Sequence, residues 1–160
     1  MVFFLLVLLD NVSAQDNTKP TTFILIRHAE KGDDGTKDPP LSEEGNKRAA
    51  RLTETLKSTG VTAIYSTNFK RTKSTVAPLA QAKNLEVKIY EPVKEEELKK
   101  IIESNKGGTV VIVGHSNTTP WSANFLAGTK LENFTDAEYS NILIITFYEF
   151  SKASLTRLNY

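Results

Sequence analysis

The strongest constraint on this chain is a rhythm. Short runs of β-forming apolar residues recur along it, separated by stretches of helical periodicity. Phe23-Ile24-Leu25-Ile26 is an unbroken apolar run, as expected of a strand buried on both faces. Gly32 to Pro40 is rich in Gly, Asp and Pro and reads as a loop. Ser42 follows as an N-cap, with Gly45 where a capping box would place Glu. Lys47 to Lys57 then reads as a helix with Ala50, Leu52 and Leu56 among its apolar positions, stopped by Gly60. The alternation continues with strand Ala63–Tyr65, helix Lys70–Lys83 with Pro78 inside it, strand Val87–Tyr90 and helix Glu95–Ser104. Strand Thr109–Val113, helix Thr118–Leu126 and a closing hairpin of Ile142–Phe150 with Ser154–Leu158 complete it. Strands alternating with helices predict an α/β fold: a three-layer sandwich with a mostly parallel central sheet and helices on both faces.

A length of 160 residues suits one domain and allows a substantial core. The absence of cysteine excludes disulfides, thiolate metal sites and cysteine nucleophiles. A net charge of +1, with no long basic run, argues against nucleic acid as a partner. Met1 to Leu9 is almost wholly apolar, and Val12-Ser13-Ala14 is a small-residue cleavage pattern. Residues 1–14 therefore read as a signal peptide, too short to span a bilayer, although no Lys or Arg precedes the apolar run. The expected mature domain is 15–160, periplasmic or secreted and without a membrane anchor.

The chemistry gathers where strands end. Arg27-His28 follows the first strand. Ser66-Thr67 follows the second, with Arg71 in the next helical turn. Glu91 follows the third, and Gly114-His115-Ser116 the fourth. The chain has two histidines, and both stand at strand carboxyl ends. Ligands of open α/β sheets bind beyond those ends. A neutral imidazole is a nucleophile able to carry a phosphoryl group. Two guanidiniums offer forked donors that match phosphate oxygens. The helix opening near Asn117, with Pro120 in its first turn, can point backbone N–H groups at the same place. Taken singly, a histidine or a helix-borne arginine is most often a core or solvated residue; their joint placement is what indicates a site.

These residues also form a known pattern. Leu25-Ile26-Arg27-His28-Ala29-Glu30 resembles the Arg-His-x-Glu signature of the histidine phosphatase (phosphoglycerate-mutase-like) superfamily, and Leu41-Ser42-Glu43-Glu44-Gly45 resembles its Leu-Thr-x-x-Gly segment. Ser66 to Thr75, with Arg71-Thr72, is similar to its Ser-x-x-x-Arg-Thr/Ala-x-x-Thr segment, and Val113-Gly114-His115-Ser116 to its second-histidine motif. The resemblance implies a phosphatase in which His28 becomes phosphohistidine while Arg27, Arg71 and His115 clamp the phosphate. Lys31 and Ser116 are counted with the substrate-binding set, and Asp38 as a structural acid. The mutase branch has an asparagine several residues after the nucleophile, where this chain has Lys31 to Thr36; the phytase branch has Asp where this chain has Ser116. The short chain thus resembles a minimal phosphatase.

The expected substrate is a small phosphorylated molecule or a phosphoprotein, with no cofactor and no metal, because two histidines beside arginines suit an anion. The alternatives are a phospholigand-binding module of the same fold and a phosphomutase. Glu91 is the expected proton donor, by its place after the third strand, with Glu30, Asp33 and Asp34 as rivals. Asn117-Thr118-Thr119 is a glycosylation acceptor pattern beside the expected site, where a glycan would block it; that favours a bacterial periplasm.

Overall fold

The computed structural model describes residues 19–147 and 153–160. The expected signal segment, residues 1–14, lies outside them, as does the tip of the closing hairpin. Six strands and four helices follow in the order β1 (Thr21–Arg27), α1 (Glu43–Leu56), β2 (Val61–Ser66), α2 (Lys70–Lys83), β3 (Val87–Ile89), α3 (Glu95–Glu103), β4 (Thr109–Gly114), α4 (Thr118–Ala127), β5 (Asn141–Phe147) and β6 (Ala153–Asn159). They form one sheet ordered β3-β2-β4-β1-β5-β6. β1 pairs parallel to β4, β4 to β2 and β2 to β3; β5 and β6 run antiparallel along one side.

Strand residues alternate between two faces, and each face buries its own pair of helices. Phe23, Leu25, Val110, Ile112, Leu143 and Ile145 point to the side covered by Leu98, Ile101 and Ile102 of α3 and Ala123 and Leu126 of α4. Ile24, Ile26, Ile64, Val111, Val113 and Ile142 point to the side covered by Leu52 and Leu56 of α1 and Val76, Leu79 and Ala80 of α2. The three-layer α/β sandwich read from the sequence is the fold observed. Among the described residues, no helix is long and apolar enough to cross a membrane.

Two local differences from the sequence reading have clear causes. Helix α1 begins at Glu43, directly after its cap, rather than at Lys47; the Ser42 hydroxyl accepts the Gly45 N–H at 3.0 Å. Ala49 rather than Ala50 faces inward, because Gly45, Ala49, Leu52 and Leu56 lie on one helical stripe. The missing capping-box Glu is explained by space. A Cβ at position 45 would stand 2.1 Å from the carbonyl oxygen of Glu30, the same carbonyl that accepts the Ser42 N–H at 2.9 Å. Only glycine lets α1 approach the turn after β1 this closely.

Candidate active site

Strands β1 and β4 are neighbours in register, with Arg27 opposite Gly114. The residues that follow them, His28 and His115, therefore emerge side by side, their ring centroids 5.3 Å apart and edge to face. The His28 N–H donates to the Gly114 carbonyl at 2.9 Å, which extends the ladder by one bond beyond β1. Arg71 arrives from the first turn of α2, and its guanidinium lies over the Phe69 ring at 4.4 Å. The cavity they share, about 500 Å³, is lined by Arg27, His28, Lys31, Arg71, His115, Ser116, Asn117, Asp136 and Tyr139. A second cavity of about 760 Å³ adjoins it through Lys31 and Arg71 and extends along the loop from Gly32 to Ser42.

His28 is buried, and its Nδ1 lies 2.7 Å from the carbonyl oxygen of Ala29. A carbonyl can only accept, so Nδ1 carries the proton of the neutral ring and Nε2 holds the lone pair. Burial pushes the His28 pKa down to about 4 against the hydrogen bond to Ala29, helped by the neighbouring His115, Arg71 and Arg27. His115 is likewise pushed down to about 4, first by burial and then by Arg71 and Arg27, with Asp38 opposing. Its Nε2 stands 3.0 Å from the Thr67 hydroxyl, which donates to Thr72 Oγ1 at 3.1 Å. Both imidazoles are thus neutral through the physiological range, beside two permanent cations.

The guanidiniums are positioned but not saturated. Arg27 Nη1 donates to the carbonyls of Thr135 at 2.7 Å and Glu138 at 3.3 Å, and Tyr139 stacks on it at 4.0 Å. Arg71 Nη1 reaches Asp38 at 3.4 Å, and the same carboxylate accepts the Lys70 N–H that opens α2 at 3.0 Å. The Nε atoms of both arginines are buried without a hydrogen-bond partner. A buried unpaired donor is costly unless an anion meets it. Thr75 joins the two halves of the site: its hydroxyl accepts the Ala29 N–H at 2.9 Å and donates to the Arg71 carbonyl at 2.7 Å. Among the described residues, no cluster of three or more His, Asp or Glu suits a metal ion.

The family described as Histidine phosphatase superfamily (branch 1) matches residues 23–99, which carry β1 with Arg27-His28, the α1 cap and Arg71. The family match and the shared fold together indicate the histidine phosphatase superfamily. Phosphoserine phosphatase 1 of Hydrogenobacter thermophilus is 41% identical over 90 residues, covering 52% of this chain and 39% of that relative. The fold is shared with the protein histidine phosphatase SixA complexed with tungstate, at TM-score 0.71 and 16% identity over 86% of this chain and 96% of the other. It is shared also with mycobacterial glucosyl-3-phosphoglycerate phosphatase, at TM-score 0.67 and 15% identity over 89% and 99%.

Within this histidine phosphatase fold, six of the seven residues singled out from sequence meet in one cavity: Arg27, His28, Lys31, Arg71, His115 and Ser116. Glu91 does not join them. β3 is the edge strand, three places from β1, and at about 4.8 Å per strand its end stands about 14 Å away. The Glu91 carboxylate is exposed outside the cavity and paired with Lys94, which lowers its pKa. The rivals are engaged elsewhere. Glu30 is gripped by Arg48, and Asp33 and Asp34 accept backbone N–H groups of their own loop. Tyr139 and Asp136, on the loop between α4 and β5, went unnoticed in the sequence because no strand end marks them.

Proposed function

We propose that the chain is a phosphatase that hydrolyses phosphate monoesters or phosphohistidine through a phosphohistidine on His28. The observation that carries this reading is the state of that ring: buried, neutral, its Nδ1 proton held by the Ala29 carbonyl and its Nε2 lone pair unengaged in a cavity lined by two incompletely bonded arginines. In the first step Nε2 attacks phosphorus, the P–N bond forms and the bond to the leaving oxygen breaks. In the second, water attacks phosphorus, the P–N bond breaks and inorganic phosphate leaves. Arg27 and Arg71 face the equatorial oxygens and neutralise them, with the neutral His115 beside His28 in the same cavity. Relatives named for phosphoserine, phosphohistidine and glucosyl-3-phosphoglycerate support the class, as does tungstate, a phosphate mimic, bound to SixA. The chain spans 39% of the length of the phosphoserine phosphatase, so its substrate belongs to the proposal and not to that likeness.

The test is direct. Wild-type protein incubated with radiolabelled phosphate ester and quenched is expected to carry acid-labile, base-stable phosphate, and His28→Ala neither label nor turnover. Wild-type turnover in His28→Ala would end this reading. Export through residues 1–14 belongs to the same proposal, supported by the apolar run and Val12-Ser13-Ala14. It expects protein from the native host to begin at Gln15 by mass spectrometry.

A further inference from the structure

We infer that Asp136 is the proton donor to the leaving oxygen and, in the second half-reaction, the acceptor of the proton from the attacking water. The inference rests on the phosphohistidine reading above and supplies the acid that Glu91 cannot. Among the residues lining the catalytic cavity, Asp136 carries the one carboxylate.

The neighbouring acids are held by other partners. Glu30 is bonded twice by Arg48 Nε, and Asp38 caps α2 and meets Arg71. Glu138 accepts the N–H and hydroxyl of Thr135 and pairs with Arg157. Asp136 differs from all of them. Its one contact among the described residues is an ion pair with Arg27 Nη2 at 3.8 Å, and its side chain is fully exposed at the rim.

The loop that carries it is nonetheless fixed. The Phe134 N–H donates to the Ser116 carbonyl at 2.9 Å, and the Thr135 and Glu138 carbonyls accept Arg27 Nη1. The Tyr139 ring covers the same guanidinium. Clamps on both sides of Asp136 therefore hold its backbone to Arg27 and leave its carboxylate unbonded.

Position matters as much as freedom. Nucleophile and leaving oxygen lie roughly in line through phosphorus. With His28 buried at the cavity floor, the leaving oxygen faces the mouth, where Asp136 stands. A phosphate ester seated on Arg27 brings its leaving oxygen beside this carboxyl group, 3.8 Å from the same guanidinium. The proton passes to the leaving oxygen as the P–O bond breaks and P–Nε2 forms. The carboxylate left behind then takes a proton from water as P–O forms and P–N breaks, which restores the starting acid.

The test compares leaving groups in a single turnover. Release of an alkyl alcohol from its phosphate ester, measured before the phosphoenzyme hydrolyses, is expected to fall on the order of 10²-fold or more in Asp136→Asn. The p-nitrophenol burst from p-nitrophenyl phosphate is expected to stay within a few-fold, since that leaving group needs little protonation. Asp136→Glu should recover part of the alkyl rate, and Asp136→Asn should accumulate phosphohistidine because its second step is slowed. Equal slowing of both bursts would show that Asp136 serves only to place Arg27, and no slowing of either would pass the role to Lys31 or Tyr139; each overturns the inference. Absence of phosphohistidine in the wild type would overturn the underlying reading and this inference with it, so the two failures are distinguishable.

Discussion

Two arginine clusters lie close together in this molecule and are treated oppositely. Arg48, on α1, is saturated: its Nε donates to both Glu30 oxygens at 2.9 Å, its Nη2 to one of them at 2.6 Å, and its Nη1 to the Tyr160 carbonyl at 3.1 Å. Arg27 and Arg71 have carbonyls, aromatic faces and a distant carboxylate, but each keeps a buried Nε without a partner. A guanidinium closed by a carboxylate ties elements together. One closed by carbonyls and rings is aimed but still attracts an anion. The contrast separates the arginine that holds the fold from those proposed to hold the substrate.

The sharpest way to break this comparison is to exchange the losses. Arg71→Ala is expected to cost on the order of 10²-fold or more in kcat/KM, as deletion of a preorganised donor to a transition state does, with little change in stability. Arg48→Ala should do the reverse, lowering the denaturant midpoint by about 2 kcal/mol of stability while kcat/KM changes a few-fold. If Arg48→Ala lost activity as Arg71→Ala does, the division would be wrong. Anion binding sharpens it further. Inorganic phosphate or tungstate at 100 times its Kd should stabilise the wild type by about 2.7 kcal/mol, read as a rise in Tm. That rise should survive in Arg48→Ala and vanish in Arg71→Ala.

The smallest expected effect is on stability against pH. His28 and His115 titrate near 4 in the folded protein and at the ordinary 6.5 when unfolded. Between those values the unfolded chain holds more protons, so stability is fully present above 6.5 and is lost as pH falls towards 4. The lowered carboxylates Glu30 and Glu138 act only below their ordinary 4.5. The slope between 4.5 and 6.5 therefore belongs to the histidines. Denaturant midpoints across that range should rise with pH in the wild type and rise less in His28→Gln; an unchanged slope would contradict the burial assigned to that ring.

Much of this was legible in the sequence, for reasons specific to particular residues. The alternation of Phe23 and Leu25 with Ile24 and Ile26 foretold two covered faces, because both sets are apolar. Arg27-His28 and His115 were legible because each directly follows an apolar strand, and a strand end in a parallel sheet is a known place. What strands do not reveal is their lateral order. Glu91 ends a strand as His28 does, yet β3 lies at the edge and β1 between β4 and β5. Asp136 was invisible for another reason: its loop is defined by what it grips, Arg27 and Ser116, and neither contact has a local signature. Gly45 looked like a failed capping box until the Glu30 carbonyl showed why a side chain cannot stand there.

The bond from the His28 amide to the Gly114 carbonyl has a consequence for motion. It makes the spacing of the two imidazoles a property of the central sheet rather than of the loops around them. Opening that amide to solvent requires the β1–β4 ladder to part, so its exchange follows global unfolding. At the rim, the side chains of Lys31, Asn117 and Asp136 are exposed, and exposed side chains change rotamer on a far faster clock. The site thus joins a slow floor to a fast mouth, and substrates can be admitted and products released without disturbing the distance between the histidines.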